Sequence, residues 1–213
     1  MNDTQDHIVF IVDDDRRIRE SLCALLSSVD LCAIAFGTGA EYIAHAKPDV
    51  PACLILDVEL PDINGLDLQS QVAQGNHPPI VFITGHGDIP ASVRAMKGGA
   101  VDFLTKPFRD EDLLHAVRSA IAQDGEARAQ RARIADLTRR LGTLTPRERE
   151  VLPLIVSGLL NKQAGAELGI SEVTLQIHRS NIMKKMEAAS LADLVRMAGS
   201  LNIPIAHSRH RRN

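Results

Sequence analysis

Five short runs of aliphatic and β-branched residues, IVFIV (8–12), CAIAF (32–36), ACLIL (52–56), PIVFIT (79–84) and VDFLT (101–105), limit what this chain can fold into. Each is almost continuously apolar, as strands covered on both faces must be. Helix-like stretches at about 16–28, 38–46, 64–74, 88–98 and 110–123 separate them. In the first, Ile18, Leu22, Leu25 and Leu26 fall on one side at helical spacing. Strand–helix alternation of this kind specifies a doubly wound parallel sheet, because parallel neighbours need crossover connections.

Ligands of such sheets bind beyond the carboxyl ends of the strands. Here those ends carry Asp13, Asp14 and Asp15 after the first strand, Asp57 after the third, Thr84 after the fourth, and Lys106–Pro107 after the fifth. Asp and Thr are common strand-end residues, and a Lys before Pro is ordinary loop surface, so each alone signifies little. Their convergence on one rim carries the reading. Crowded carboxylates repel unless a hard divalent cation neutralises them, and Mg²⁺, or Mn²⁺ in its place, takes oxygen ligands and phosphate oxygens. Asp57 stands alone after a buried strand and is the candidate nucleophile for an aspartyl phosphate. The paired Asp13 and Asp14 are the candidate metal holders. Lys106 and Thr84 can supply a cation and a donor to the transferred oxygens.

The stretches IVDDD (11–15), LILDVELPDINGLDL (54–68), VFITGHGD (81–88) and GGAVDFLTKPF (98–108) resemble the receiver domain of two-component response regulators. The resemblance implies a flavodoxin-like fold over residues 6–124 and phosphorylation of Asp57 by a sensor histidine kinase. It implies Mg²⁺ held by Asp13, Asp14, Asp57 and the backbone carbonyl of Glu59. It makes Lys106 the phosphate-pairing residue, with its bond to Pro107 cis, and Thr84 and Phe103 a switch pair.

Beyond residue 123 the strand signal stops and the charge changes sign. Residues 1–123 hold 18 acidic and 9 basic side chains, residues 124–213 hold 9 and 15, so nets of −9 and +6 lie within a total of −3. A basic half is drawn to a polyanion while the acidic half stays off it. Residues 125–142 read as a linker helix, separate from the preceding one or continuous with it, with Gly125 the candidate break and Ile134, Leu137 and Leu141 a narrow apolar stripe. Four helical segments follow. Thr145–Pro146 with Glu148 opens the first, Pro153 inside it removes one backbone bond and bends it, Gly169 stops the short second, Ser171 caps a long third, and Ser190 starts the last. Short helix, tight turn and long helix together form the arrangement that lays one helix in a major groove. On the long helix Glu172, Thr174, Gln176, His178, Arg179 and Asn181 are read as facing outwards. Val173, Leu175, Ile177, Ile182 and Met186 are read as packing.

Residues 144–198, with LTPREREVL, GLLNKQ, ELGIS and the Thr174–His178 step, resemble the LuxR-type helix-turn-helix domain. Both halves in this order resemble the FixJ/NarL-type response regulators. That resemblance implies a helical DNA-binding domain over 143–205 using Lys162, Glu172, Thr174, Gln176, His178, Arg179, Asn181 and Lys184. It also implies double-stranded promoter DNA and RNA polymerase as partners and a homodimer on phosphorylation. Two departures stand out: Gln176 where the family usually has Lys, and Ala164–Gly165 where Ile–Ala is typical. A Gly inside a helix costs about 1 kcal/mol relative to Ala. The carboxyl tail AHSRHRRN is short and basic.

Two other readings compete. Asp13-x-Asp15 after a strand superficially resembles the nucleophile motif of haloacid-dehalogenase-type phosphatases, but Arg16 follows it and no matching downstream acidic motif exists. The helical half could instead grip a protein. The expected character is a regulator and not an enzyme, cytoplasmic, with no apolar run long enough to cross a bilayer and no export signal in MNDTQDH. Cys23, Cys32 and Cys53 lie in apolar stretches without metal-ligand spacing and read as small buried side chains.

Overall fold

The structure is a computed structural model that describes residues 7–72, 75, 77–85 and 89–204. The tail at 206–213 and the segment His86–Asp88 lie outside the described residues. The chain forms two compact units, 1–129 and 130–213.

The first unit is an α/β sandwich. Strands β1 (Ile8–Val12), β2 (Ala33–Phe36), β3 (Ala52–Asp57), β4 (Ile80–Thr84) and β5 (Asp102–Thr105) form one parallel sheet in the order β2-β1-β3-β4-β5. Every residue of β1, β3 and β4 is buried, whereas the edge strands β2 and β5 are mostly half-exposed. Side chains alternate between faces, so Phe10, Leu54, Leu56 and Phe82 share one core with Tyr42, Leu66, Leu68 and Ala95. Val9, Ile11, Ile55 and Val81 share the other with Leu22, Leu26, Leu113 and Val117. The covering helices are α1 (Arg16–Ser27), α2 (Gly39–Ala44), α3 (Gly65–Val72), α4 (Ile89–Lys97) and α5 (Asp110–Gly142).

Gly125 does not break the helix. α5 runs unbroken for 33 residues. The Asp124 carboxylate accepts from the Ala52 N–H at 2.9 Å and from Arg128 Nε at 2.7 Å, and Arg128 also pairs with Asp49. These bonds hold the turn around Gly125 against the start of β3. They outweigh the roughly 1 kcal/mol helical cost of a glycine. The three cysteines are free: Cys53 is buried, but Cys23 and Cys32 are only half-buried.

The second unit is helical. The last turns of α5 bring Leu137 into a core with Leu144, Val151, Leu152 and Ile155 of α6 (Pro146–Val156) and the segment before it. α7 (Asn161–Leu168), α8 (Glu172–Met186) and α9 (Leu191–Ser200) add Ala164, Leu175, Ile182, Met186 and Leu194. Of the predicted linker stripe, Leu137 is buried and Leu141 partly so, while Ile134 is 37% exposed. Caps fix the helix starts: the hydroxyls of Thr145, Ser171 and Ser190 accept from Glu148, Thr174 and Asp193 N–H. Gly165 is demanded by packing, since a Cβ there would sit 2.9 Å from the carbonyl oxygen of Ile170, inside the turn that leads to α8.

Candidate phospho-acceptor site and nucleic-acid interface

Strand register gathers the acidic rim. Val12 pairs with Leu56, so Asp13 lies level with Asp57; Thr84 pairs with Thr105, so Lys106 follows immediately beyond them. The Lys106 ammonium bridges two carboxylates, donating to Asp13 Oδ2 at 2.7 Å and to Asp57 Oδ2 at 2.6 Å. Asp13 Oδ1 accepts from Asp15 N–H at 2.8 Å, and Asp57 Oδ1 from Glu59 N–H at 3.1 Å. Asp15 then caps α1, and Arg19 holds the loop by donating to the carbonyls of Asp13 and Asp14 at 2.6 and 2.9 Å. Burial raises the Asp13 carboxyl above the usual range, although Lys106 and the Asp15 N–H oppose this. Burial pulls the other way on Lys106, whose bonds to Asp13 and Asp57 nonetheless keep its ammonium above the ordinary lysine value. The Lys106–Pro107 peptide bond is cis.

Asp13, Asp14 and Asp57 each present an oxygen within 4.8 Å of the others, with Asp13 and Asp57 buried and Asp14 open to solvent. Glu59, two residues past the end of β3, is exposed. Close oxygen donors, one of them facing water, suit a hard cation that keeps part of its hydration, and so the residues fit Mg²⁺. Thr84 is fully buried at the end of β4, and Phe103 is half-buried with its ring centroid 6.1 Å from that of Phe82. Gly65 wedges α3 against this rim, for a Cβ there would come within 2.3 Å of the Asp57 carbonyl oxygen.

In the second unit, α7 and α8 meet across Gly169, whose φ of 65° makes the tight turn. Arg179 donates to Asn161 Oδ1 at 3.3 Å and ties the two helices together. Lys162, Glu172, Gln176, Asn181 and Lys184 are exposed; Thr174, His178 and Arg179 are half-exposed. The Thr174 hydroxyl lies 2.9 Å from that of the capping Ser171.

Residues 9–118 match the family model for the response regulator receiver domain, and residues 142–198 match that for the bacterial regulatory proteins of the luxR family. The chain is a response regulator. It is 52% identical to Nodulation protein W of Bradyrhizobium diazoefficiens over 202 residues, 94% of this chain and 89% of that protein. It is 42% identical to the transcriptional regulatory protein FixJ of Rhizobium meliloti, over 91% of this chain and 95% of that one. Among solved structures, response regulator StyR is similar at a TM-score of 0.82 and 43% identity, covering 91% of this chain and 98% of that one.

Sequence reasoning misplaced two residues of this regulator and missed two others. Val173 and Ile177, read as packing, are 69% and 57% exposed on α8. Leu175, Ile182 and Met186 are buried, so at 100° per residue Val173 and Ile177 fall on the opposite side. A helical wheel centred on that triplet would have shown it. Arg19 carried no signal, since its acceptors are backbone carbonyls. Neither did Glu148 as an interhelix tie: besides its cap, it accepts from Lys185 Nζ at 2.6 Å. No helix among the described residues is long and apolar enough to cross a membrane.

Proposed function

We propose that this regulator is switched by phosphoryl transfer from a sensor histidine kinase to Asp57, and that the switched form dimerises and binds promoter DNA more tightly. The observation that carries the reading is the Lys106 ammonium shared between Asp13 and Asp57, a cation already set where phosphoryl oxygens would arrive. In this reading residues 6–124 receive the phosphoryl group, 125–142 link, and 143–205 bind DNA.

An Asp57 carboxylate oxygen attacks phosphorus, the P–N bond to the kinase histidine breaks, and its electron pair returns to the imidazole. Mg²⁺, held by Asp13, Asp14, Asp57 and the Glu59 carbonyl, would supply charge neutralisation for the crowded oxygens. Lys106 pairs with the new phosphoryl oxygens, and the Thr84 hydroxyl turns towards them. The space Thr84 leaves is filled by the Phe103 ring, which repacks the face of α4 and β5. Turnover beyond slow self-catalysed phosphorylation and dephosphorylation is not part of this role.

Two surfaces support the partners. A groove of about 450 Å³ lined by Ile18, Leu22, Leu25 and Phe108 opens beside Lys106, where a kinase helix could present its histidine. On α4, Ile89, Val93 and Met96 are 80%, 44% and 48% exposed, an apolar strip suited to a second copy. Linking two DNA-binding units on a two-fold site raises affinity through proximity. Lys162, Glu172, Thr174, Gln176, His178, Arg179, Asn181 and Lys184 are then the residues assigned to duplex contacts, with RNA polymerase a further partner and the cytoplasm the setting.

Beryllofluoride with Mg²⁺ should convert monomer to dimer in sedimentation and tighten binding to promoter fragments, and Asp57→Asn should abolish both responses. An unchanged response in Asp57→Asn refutes the acceptor assignment.

A further inference from the structure

The outermost line of α8 is unlike the rest of that helix. Taking the buried triplet Leu175, Ile182 and Met186 as the inner direction, the opposite side is Val173, Ile177, Ser180 and Lys184. The residues offered above for hydrogen bonding are mostly to either side: Gln176 flanks the line on one edge and Asn181 on the other. Thr174 and His178 are turned partly inward, and Thr174 is engaged with the cap of its own helix. At the centre of the presented face stand two β-branched aliphatic side chains. Val and Ile are weak helix formers, so neither is there for helix stability, and neither is buried in this unit's core.

We propose that Val173 and Ile177 read sequence by seating against thymine 5-methyl groups in the major groove. This rests on the reading of α8 as the helix that enters DNA. A thymine methyl is the one apolar feature that the major groove offers, and aliphatic contact is how a side chain selects it. The charge around the pair fits a duplex. Lys184 stands on the same line of the helix, and residues 124–213 carry a net +6. The apolar area is two side chains only, too small for docking a protein. Four residues of helix advance about 6 Å, close to two base-pair steps of about 3.4 Å. The two methyls selected therefore lie one or two pairs apart.

The test uses the full-length regulator with beryllofluoride and Mg²⁺ to enrich binding sequences from a randomised duplex pool. Each thymine of the enriched half-site is then replaced singly by deoxyuridine, which removes only the methyl. Two positions, one or two pairs apart, should each weaken binding about fourfold, the worth of one buried methyl. Ile177→Ala should become indifferent to deoxyuridine at one of them and Val173→Ala at the other, with melting temperatures unchanged because both side chains are exposed. Tolerance of deoxyuridine at every position overturns the inference, as does retained sensitivity in both variants. Salt-sensitive duplex binding that enriches no sequence overturns the inference and leaves the DNA-binding reading standing. Absence of any duplex binding overturns both.

Discussion

Glu148 offers the sharpest test of how the DNA-binding unit is held together. Its side chain is buried, and one carboxylate oxygen accepts both the Thr145 N–H at 2.8 Å and the Lys185 ammonium at 2.6 Å. The first bond closes the capping box of α6; the second ties α6 to the last turn of α8. Glu148→Ala removes both. Loss of half a capping box costs about 1 kcal/mol. The ion pair adds only about 1 kcal/mol more, because Lys185 is a third exposed and solvent screens it. A total of about 2 kcal/mol should lower the melting temperature of this unit by roughly 10 °C, given the steep dependence in small domains. Calorimetry of the full chain resolves that transition. A double-mutant cycle of Glu148→Gln with Lys185→Met isolates the ion pair, with an expected coupling of about 1 kcal/mol. An alanine variant that melts within about 2 °C of the parent, with coupling near zero, would refute the argument.

The same residue predicts an acid limb. Burial alone would raise the Glu148 pKa, but the Lys185 and Thr145 donors hold it below the ordinary glutamate value. A depressed folded pKa contributes stability above the unfolded value of about 4.3 and loses it as pH falls through the folded one. The second unit should therefore weaken below about pH 4.3, and Glu148→Gln should flatten that limb in a pH series of melting curves. Gly65→Ala must move α3 off the Asp57 carbonyl, at about 1–3 kcal/mol for overpacking. It should lower the first unit's melting temperature and blunt its beryllofluoride response together; normal values for both would contradict the wedge. Leu137→Ala, at a 4% exposed position, should cost about 2–5 kcal/mol, and calorimetry should place that loss in the DNA-binding transition.

The central strands were plain in the sequence because residues such as Ile55 and Val81 are apolar without interruption on both faces. The rim was plain because strand ends are where Asp13, Asp57 and Lys106 must converge once the sheet is parallel. Caps at Thr145, Ser171 and Ser190 are local, so a few neighbouring residues suffice to specify them. What escaped was long-range or rotational. Asp124 and Arg128 carry α5 past Gly125 by bonding to Ala52 and Asp49, more than seventy residues away. Gly165 is a helical defect by propensity alone, and only the Ile170 carbonyl packed against it accounts for it. On α8, apolar residues stand on opposite sides, so composition could not say that Leu175 faces in and Ile177 out.

One stretch of α5 has a consequence for how the molecule comes apart. From Ala129 to Ala135 no side chain is buried, and the run AQRARIA is made mostly of strong helix formers. Its winding thus draws on helix propensity more than on burial in either core. Melting of one unit need not propagate through it to the other. Within α5, amide exchange should be fastest, and trypsin cleavage earliest, between Ala129 and Ala135 while both cores are still intact.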